Sequence, residues 1–343
     1  MPCPVTRLGL ILLWTAACGT AGPDDPADQA DAGFVAFGQD TDGDGLDDAF
    51  ESNAGALAHL DPTRPDTDGD GTADGLEDPD QDGLNNAQEQ AAGQRPSLPA
   101  GSVPHPLRVD VLVEVDLMAG ITVQDAMFDA AAAAFAALPM AGVGGQSGVG
   151  LHFFVDESTI AARDFDGSGE ERTSFLRDHG PRFSAPSGFP AAEMVHVMVA
   201  QQRTDRPTLP AETLFLPGSD VESTGVIIYQ HAIDDAHPAC SGEIQMEDAL
   251  VAAFVHELGH TLQLGHDTEV GGGVNIFNIM ALAGNCAQAI QRFHGTGNTN
   301  PALGNTESIN ASRFSNAAAA LMRFTNKLSV DTAALVDDDG VEM

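Results

Sequence analysis

The feature that most constrains this chain is an acidic pattern that occurs three times between residues 40 and 89. Each copy is twelve residues long, with Asp, Asn or Glu at positions 1, 3, 5, 9 and 12 and glycine at position 6. The oxygen-bearing residues are Asp40, Asp42, Asp44, Asp48, Glu51, Asp66, Asp68, Asp70, Asp74, Glu77, Asp78, Asp80, Asp82, Asn86 and Glu89. Carboxylates at this density repel one another unless cations hold them together.

Calcium is the cation that this spacing fits. Carboxylates at positions 1, 3 and 5 converge on the ion, glycine permits the sharp turn, and a final Glu can bind through both oxygens. The loops are too close together for the helix pairs of EF-hands. The stretch "DPTRPDTDGDGTADGLEDPDQDGLNNAQE" resembles thrombospondin type-3 repeats, which implies a calcium-bound segment of little regular structure over residues 39–93. A solvated acidic linker would not need three copies in phase.

The chain is acidic as a whole, with 51 acidic and 14 basic residues among 343. A phosphate backbone would be repelled, so nucleic acid is excluded as a partner.

The N-terminus "MPCPVTRLGLILLWTAACGT" has a basic start, a short apolar run and small residues. It resembles a bacterial lipoprotein signal over residues 1–17, with lipidation of Cys18 and membrane attachment through that lipid. Thr15 stands three residues before the cysteine, where leucine is usual in such signals. Secretion without a lipid, after cleavage behind Ala17, is the alternative. Either interpretation predicts export, as an outer-membrane or cell-surface lipoprotein or as a secreted protein. Residues 18–38 are predicted to be a disordered tether.

A Pro-rich linker, 94–106, precedes a domain at 107–328, and 329–343 is predicted to be a tail. Within the domain, strand patterns occur at 107–118, 148–158, 193–202 and 225–233, and helices are predicted at 122–139, 244–263 and 306–328. This order predicts a mixed α/β (α+β) domain with a mixed sheet and a functional helix.

The predicted helix 244–263 carries "HELGHTLQLGHD" (256–267). His256 and His260 are four residues apart, so both imidazoles lie on one helix face and can bind one zinc ion. Glu257 lies beside them and can accept a proton from an attacking water.

The same stretch resembles the metzincin pattern H-E-x-x-H-x-x-G-x-x-H. The resemblance implies that His266 is the third zinc ligand, with Asp267 as a less favoured substitute, and that Met280 forms the Met-turn. Gln263 stands where metzincins have glycine, at a conformational cost of about 1–2 kcal/mol, although Gly265 can take part of the turn. Leu282 stands where some metzincins have an assisting tyrosine.

Together these features predict an exported zinc-dependent endopeptidase that acts on proteins or peptides, with Glu257 as general base. The alternative is a calcium-dependent cell-surface adhesion protein with an inactive protease-like domain. A calcium sensor is disfavoured, because the loops lack helices that could open.

Other cysteines and histidines give weaker signals. Cys240 and Cys286 flank the histidine motif and are predicted to form a disulfide, with two separate thiols as the alternative. His152, His196, His231 and His294 have no ligand spacing and are predicted to be surface or satisfied core residues. The acidic stretch 164–171 lacks the calcium-loop spacing and is predicted to be a plain loop. Nothing in the sequence predicts the oligomeric state.

Overall fold

A five-stranded sheet, parallel except at one edge, forms the centre of the fold in a computed structural model. The structure describes residues 38–54, 58–138, 143, 147–166, 169–180, 189–207, 209, 211–215, 224–232 and 246–262. In chain order the elements are α1 (Asp48–Ala54), α2 (Asn86–Gly93), β1 (Asp110–Leu117), α3 (Asp125–Ala136), β2 (Gly150–Val155), β3 (Asp164–Phe165), α4 (Gly169–Asp178), β4 (Val195–Ala200), β5 (Gln202–Arg203), β6 (Ala211–Phe215), β7 (Thr224–Tyr229) and α5 (Met246–Thr261).

The strand order is β2-β1-β4-β7-β6, and β6 runs antiparallel to β7 at the edge. The mixed α/β prediction is confirmed. β1, β2, β4, α3 and α5 all lie within the segments predicted for them, and β7 begins one residue before its predicted segment. β1 is buried at every position, because both faces of the sheet are covered, and its sequence is accordingly a nearly continuous apolar run.

One face of the sheet packs against α3 and α5, and we call it the α5 face. Val111, Val113 and Val115 point into this core, which also contains a cluster of aromatic rings. Phe254 of α5 lies 6.1 Å from both Phe128 and Phe153, measured between ring centroids, with edge-to-face geometry. These contacts fix α5 against the sheet.

The opposite face carries Leu112, Glu114 and Asp116, and we call it the α4 face. Its lower part is covered by the acidic repeats, because Leu84 and Ala92 pack with Leu112 in one buried cluster that also contains Phe154 and Met194. The backbone N–H of Asp110 donates to Oδ2 of Asp82 at 2.6 Å. The third repeat is therefore joined directly to the first residue of β1.

Higher on this face α4 covers the sheet. A Cβ added to Gly225 would lie 2.4 Å from Cδ1 of Leu176, so a larger residue at this position would require the buried Leu176 side chain to move.

Two sequence predictions need correction. Residues 164–171 are not a plain loop, because they contain β3 and the start of α4. Phe165 is buried and its ring lies 5.4 Å from that of Phe175, a tertiary contact that the acidic composition concealed. The repeat segment also has more regular structure than expected, with α1, α2 and a 3₁₀ turn at Asp74–Leu76.

Strand β6 was not predicted from the sequence. Its position between Pro210 and Pro217 is nevertheless typical of an edge strand. Among the described helices, none combines the length and apolar character needed to cross a membrane.

Candidate metal and catalytic site

Helix α5 brings His256 and His260 together, as their spacing predicts. Their Nε2 atoms lie 3.0 Å apart, and the side chains are 3% and 6% exposed. Leu250, Phe254 and Leu258 are buried in the core, so one side of α5 anchors the helix while the histidines converge on a common point.

The separation of the two imidazole nitrogens suits a shared zinc ion. Two nitrogens bound to tetrahedral zinc at about 2.0–2.1 Å lie roughly 3.3 Å from each other. His256 and His260 therefore fit the donor set of a zinc site without any change in the helix. His266, the expected third ligand, lies outside the described residues, as do Asp267, Gln263 and Met280.

Glu257 is held by the edge strand of the sheet. The Thr213 hydroxyl of β6 donates to Oε2 of Glu257 at 2.6 Å, and the Glu257 side chain is almost fully buried. The hydrogen bond limits rotation of the carboxylate of Glu257, the residue that directly follows His256 on α5. Sequence reasoning missed Thr213, because it lies 44 positions from Glu257 and only strand pairing brings it there.

The three acidic repeats form loops in which backbone N–H groups orient the first aspartates. Gly43 N–H donates to Oδ1 of Asp40 at 2.6 Å, and Gly69 N–H donates to Oδ1 of Asp66 at 2.7 Å. The third loop differs, because its Asp78 Oδ1 accepts from Asp82 N–H at 3.2 Å. The glycine at position 6 has a positive φ in every copy, 99° at Gly45, 99° at Gly71 and 93° at Gly83. The predicted role of this glycine in the turn is confirmed.

Carboxylate oxygens gather inside these loops. One ligand atom from each of Asp40, Asp42 and Asp44 lies within 4.8 Å of the others, and the same holds for Asp66, Asp68 and Asp70. Several buried oxygens in the described repeats receive no hydrogen bond. They are both carboxylate oxygens of Asp42, Glu51 and Glu89, Oδ2 of Asp44 and Asp80, and Oδ1 of Asn86. Buried oxygens of this kind need a cation or a proton.

The loops also share residues across repeats. Asp44 and Glu51 of the first repeat converge with Asp74 of the second within the same 4.8 Å limit. The Asn86 amide of the third repeat donates to the carbonyl oxygen of Asp74 at 2.6 Å. Position 9, occupied by Asp74 and Asn86, therefore connects each repeat to the preceding one.

The final glutamates show the electrostatic consequence of this crowding. Burial, together with the charges of Asp44, Asp42 and Asp74, raises the pKa of Glu51 to about 8. Burial and the neighbouring aspartates raise the pKa of Glu77 to about 7 and that of Glu89 to about 11. In the absence of cations these side chains take up protons, because the ionised form has no positive partner.

The three cysteines predicted to be functional cannot be placed by the structure. Cys18, Cys240 and Cys286 lie outside the described residues. His152 is a satisfied core residue, as expected, because its Nε2 lies 2.9 Å from Oδ1 of Asp110. His231 is exposed.

Comparison with models of known protein families gives no match for this chain. Comparison with curated proteins gives no match either.

Proposed function

We propose that this chain is an exported zinc-dependent endopeptidase whose calcium-binding repeats stabilise the catalytic domain. The observation that carries the proposal is the geometry on α5. Two imidazole nitrogens converge at 3.0 Å, and the buried carboxylate of Glu257 on the same helix is oriented by a second element. Export and membrane attachment at Cys18 are inferred from the N-terminal sequence alone.

His256 and His260 would hold the zinc, with His266 proposed as the third ligand. Zinc, when bound, supplies a Lewis acid that polarises a peptide carbonyl and makes a water acidic enough to be deprotonated near neutral pH.

The protein's own contribution is proton transfer and orientation. Glu257 accepts a proton from the attacking water and then delivers a proton to the nitrogen of the leaving amine. The Thr213 hydroxyl donates to one oxygen of Glu257, which limits rotation of the carboxylate. Burial of both residues strengthens this hydrogen bond and excludes bulk water from the proton path.

Strand β6 is the proposed docking edge for an extended peptide. It pairs with β7 on one side, and Thr213 connects it to Glu257. A peptide that adds to a sheet edge forms backbone hydrogen bonds whatever its side chains are. The scissile bond of such a peptide would pass next to the histidine pair.

The acidic repeats are proposed to hold calcium and so to stabilise the sheet. Their buried oxygens without hydrogen bonds fit a calcium ligand set. Because Leu84 and Asp82 contact the sheet directly, calcium bound in the third repeat would support the start of β1.

Glu257→Gln tests the general-base assignment. The variant should lose at least about 100-fold in peptide hydrolysis, because amide nitrogen cannot accept the proton, and it should keep its zinc. The measurement is hydrolysis of casein and of a quenched peptide library by the full chain, together with zinc content. His260→Gln should lose both zinc and activity, whereas His231→Gln, at an exposed position, should change neither.

Near wild-type turnover in Glu257→Gln would contradict the mechanism. A wild-type chain that binds zinc and cleaves nothing would favour the alternative, a calcium-dependent surface binding protein whose protease-like domain is inactive.

A further inference from the structure

A second group of metal-type ligands lies on the α4 face of the sheet, across the sheet from the histidine pair of α5. Glu114 and Asp116 point to this face because they alternate with the core valines of β1. His196 of β4 lies directly opposite Glu114 in the strand register. Three side chains from two adjacent strands therefore meet above the sheet, and we call them the inner trio.

The inner trio is tightly packed and inaccessible to solvent. Nε2 of His196 lies 3.1 Å from Oδ2 of Asp116 and 3.2 Å from Oε2 of Glu114. Glu114 and Asp116 are completely buried and His196 is 1% exposed. Each residue offers one ligand atom, and these atoms lie within 4.8 Å of one another.

Charge is not balanced within the inner trio. Nε2 of His196 carries at most one proton, so it can donate to only one of the two carboxylates. The oxygens of Glu114 have no described donor other than the Nε2 of His196, which Asp116 shares, and the carboxyl of Asp116 lies close enough to Glu114 to share a proton with it when no cation is bound. A fully buried carboxylate without a donor is strongly unfavourable unless a positive charge compensates it.

A second trio connects this position to the surface. Asp116 also converges with Glu157 and His179 within 4.8 Å. Glu157 N–H donates to Oδ1 of Asp116 at 2.9 Å, and Nδ1 of His179 lies 2.8 Å from Oε2 of Glu157. The side chains of His179 and Glu157 are 23% and 30% exposed. Ligands at the surface that lead to a buried site form an entry path for a cation.

We propose that the inner trio binds one divalent transition-metal ion, which ties β1 to β4 beneath α4. One imidazole and two carboxylates suit zinc, manganese, iron or cobalt, whereas calcium and magnesium prefer ligand sets made only of oxygen. The ion has a structural role, because the trio lies on the opposite face from Glu257. The site is independent of the proposed peptidase activity.

Cobalt binding by the full chain tests this site. Calcium is kept at millimolar concentration so that the acidic repeats do not compete for cobalt. The starting protein carries His256→Gln and His260→Gln, which removes the nitrogen ligands of α5. We expect about one equivalent of Co²⁺ after dialysis, and a melting temperature about 5 °C higher than in the same calcium buffer without cobalt.

Adding Glu114→Gln or His196→Gln to this protein should abolish both the bound cobalt and the thermal shift. Met198→Leu is the matched control, because Met198 is fully buried opposite Asp116 in the register and the exchange nearly conserves volume. It should retain the cobalt.

Glu114→Gln guards against a simple folding defect, because the amide matches the shape of a protonated Glu114. If the starting protein binds no cobalt, or if cobalt binding survives both Glu114→Gln and His196→Gln, the inner trio holds a proton and the proposal is wrong. A loss of peptidase activity in Glu257→Gln has no bearing on this result, so the two proposals fail separately.

Discussion

The acidic repeats and the central sheet both bury charged side chains, but they assemble them differently. In the repeats, ligand-type oxygens come from residues a few positions apart, such as Asp40, Asp42 and Asp44. In the sheet, Asp116 meets His196 across 80 positions of sequence. The first arrangement is a property of a local loop and the second a property of strand pairing. Local spacing therefore reveals a candidate metal site in the sequence, whereas pairing between distant strands conceals one.

The two regions also differ in what keeps them folded. The sheet has an extensive apolar core that includes α3 and α5. The repeats contribute only small apolar clusters, one of which is shared with the sheet through Leu84 and Leu112. The repeats are therefore expected to depend on cations and the sheet on apolar burial. Because the repeats and the sheet share this apolar cluster, a change in the stability of one should affect the other. Three predictions examine this coupling.

Removal of calcium should have the largest effect. Each of the three loops, if calcium is present at about 100 times its dissociation constant, contributes about 2.7 kcal/mol to stability. Chelation should therefore lower the melting temperature steeply and should expose residues 40–89 to proteolysis. Calorimetry and limited proteolysis of Glu257→Gln, chosen to prevent the self-digestion that the proposed activity would cause, measure this effect. An unchanged melting temperature in chelator would contradict calcium binding by the repeats.

Leu84→Ala should have the next largest effect, because it removes the apolar contact between the third repeat and the sheet. Leu84 is 1% exposed, and truncation of a buried leucine costs about 2–5 kcal/mol. Leu76→Ala is the matched control in the same segment, since Leu76 is 65% exposed and should change stability by less than about 0.5 kcal/mol.

Urea unfolding of the calcium-loaded chain, followed by both fluorescence and circular dichroism, measures the Leu84 effect. A single shifted transition would show that the repeats and the sheet unfold together. Two separate transitions, with only one shifted, would show that the repeats fold independently of the sheet. The direct contacts of Leu84 and Asp82 favour the single transition.

The pH dependence of calcium-free protein should be the smallest effect and should have a definite sign. The pKa of Glu51 is raised to about 8 and that of Glu77 to about 7, mainly by burial. A raised carboxyl pKa stabilises the folded state below the ordinary pKa, and this contribution is lost as pH rises through the raised value. In chelator, the melting temperature should therefore fall from about pH 4.5 through pH 8 and continue to fall above it, because the pKa of Glu89 is raised to about 11.

Calcium should reverse this slope, because bound calcium favours the ionised carboxylates. Glu51→Gln should flatten the slope in chelator, since the amide does not titrate. Thermal melting at a series of pH values, with and without calcium, measures both. If the slope of melting temperature against pH is the same with and without calcium, these carboxylates do not bind calcium.

The sequence by itself determined the features that depend on local spacing. The histidine pair follows from a four-residue interval on a helix, and the positive φ of Gly45, Gly71 and Gly83 follows from position 6 of each loop. The buried β1 strand and the mixed α/β class follow from apolar runs that alternate with a helical pattern. In each case the conformation depends on residues that are close together in the sequence, so distant contacts do not need to be known.

Only the tertiary structure decided which distant residues meet. Thr213 reaches Glu257 because β6 lies at the sheet edge beside α5, and Asp74 completes a group begun by Asp44 and Glu51. His196 had no ligand spacing in the sequence, yet parallel pairing of β1 with β4 places it opposite Glu114. Strand register and helix packing are set by burial summed over the whole domain, so a local pattern does not contain them.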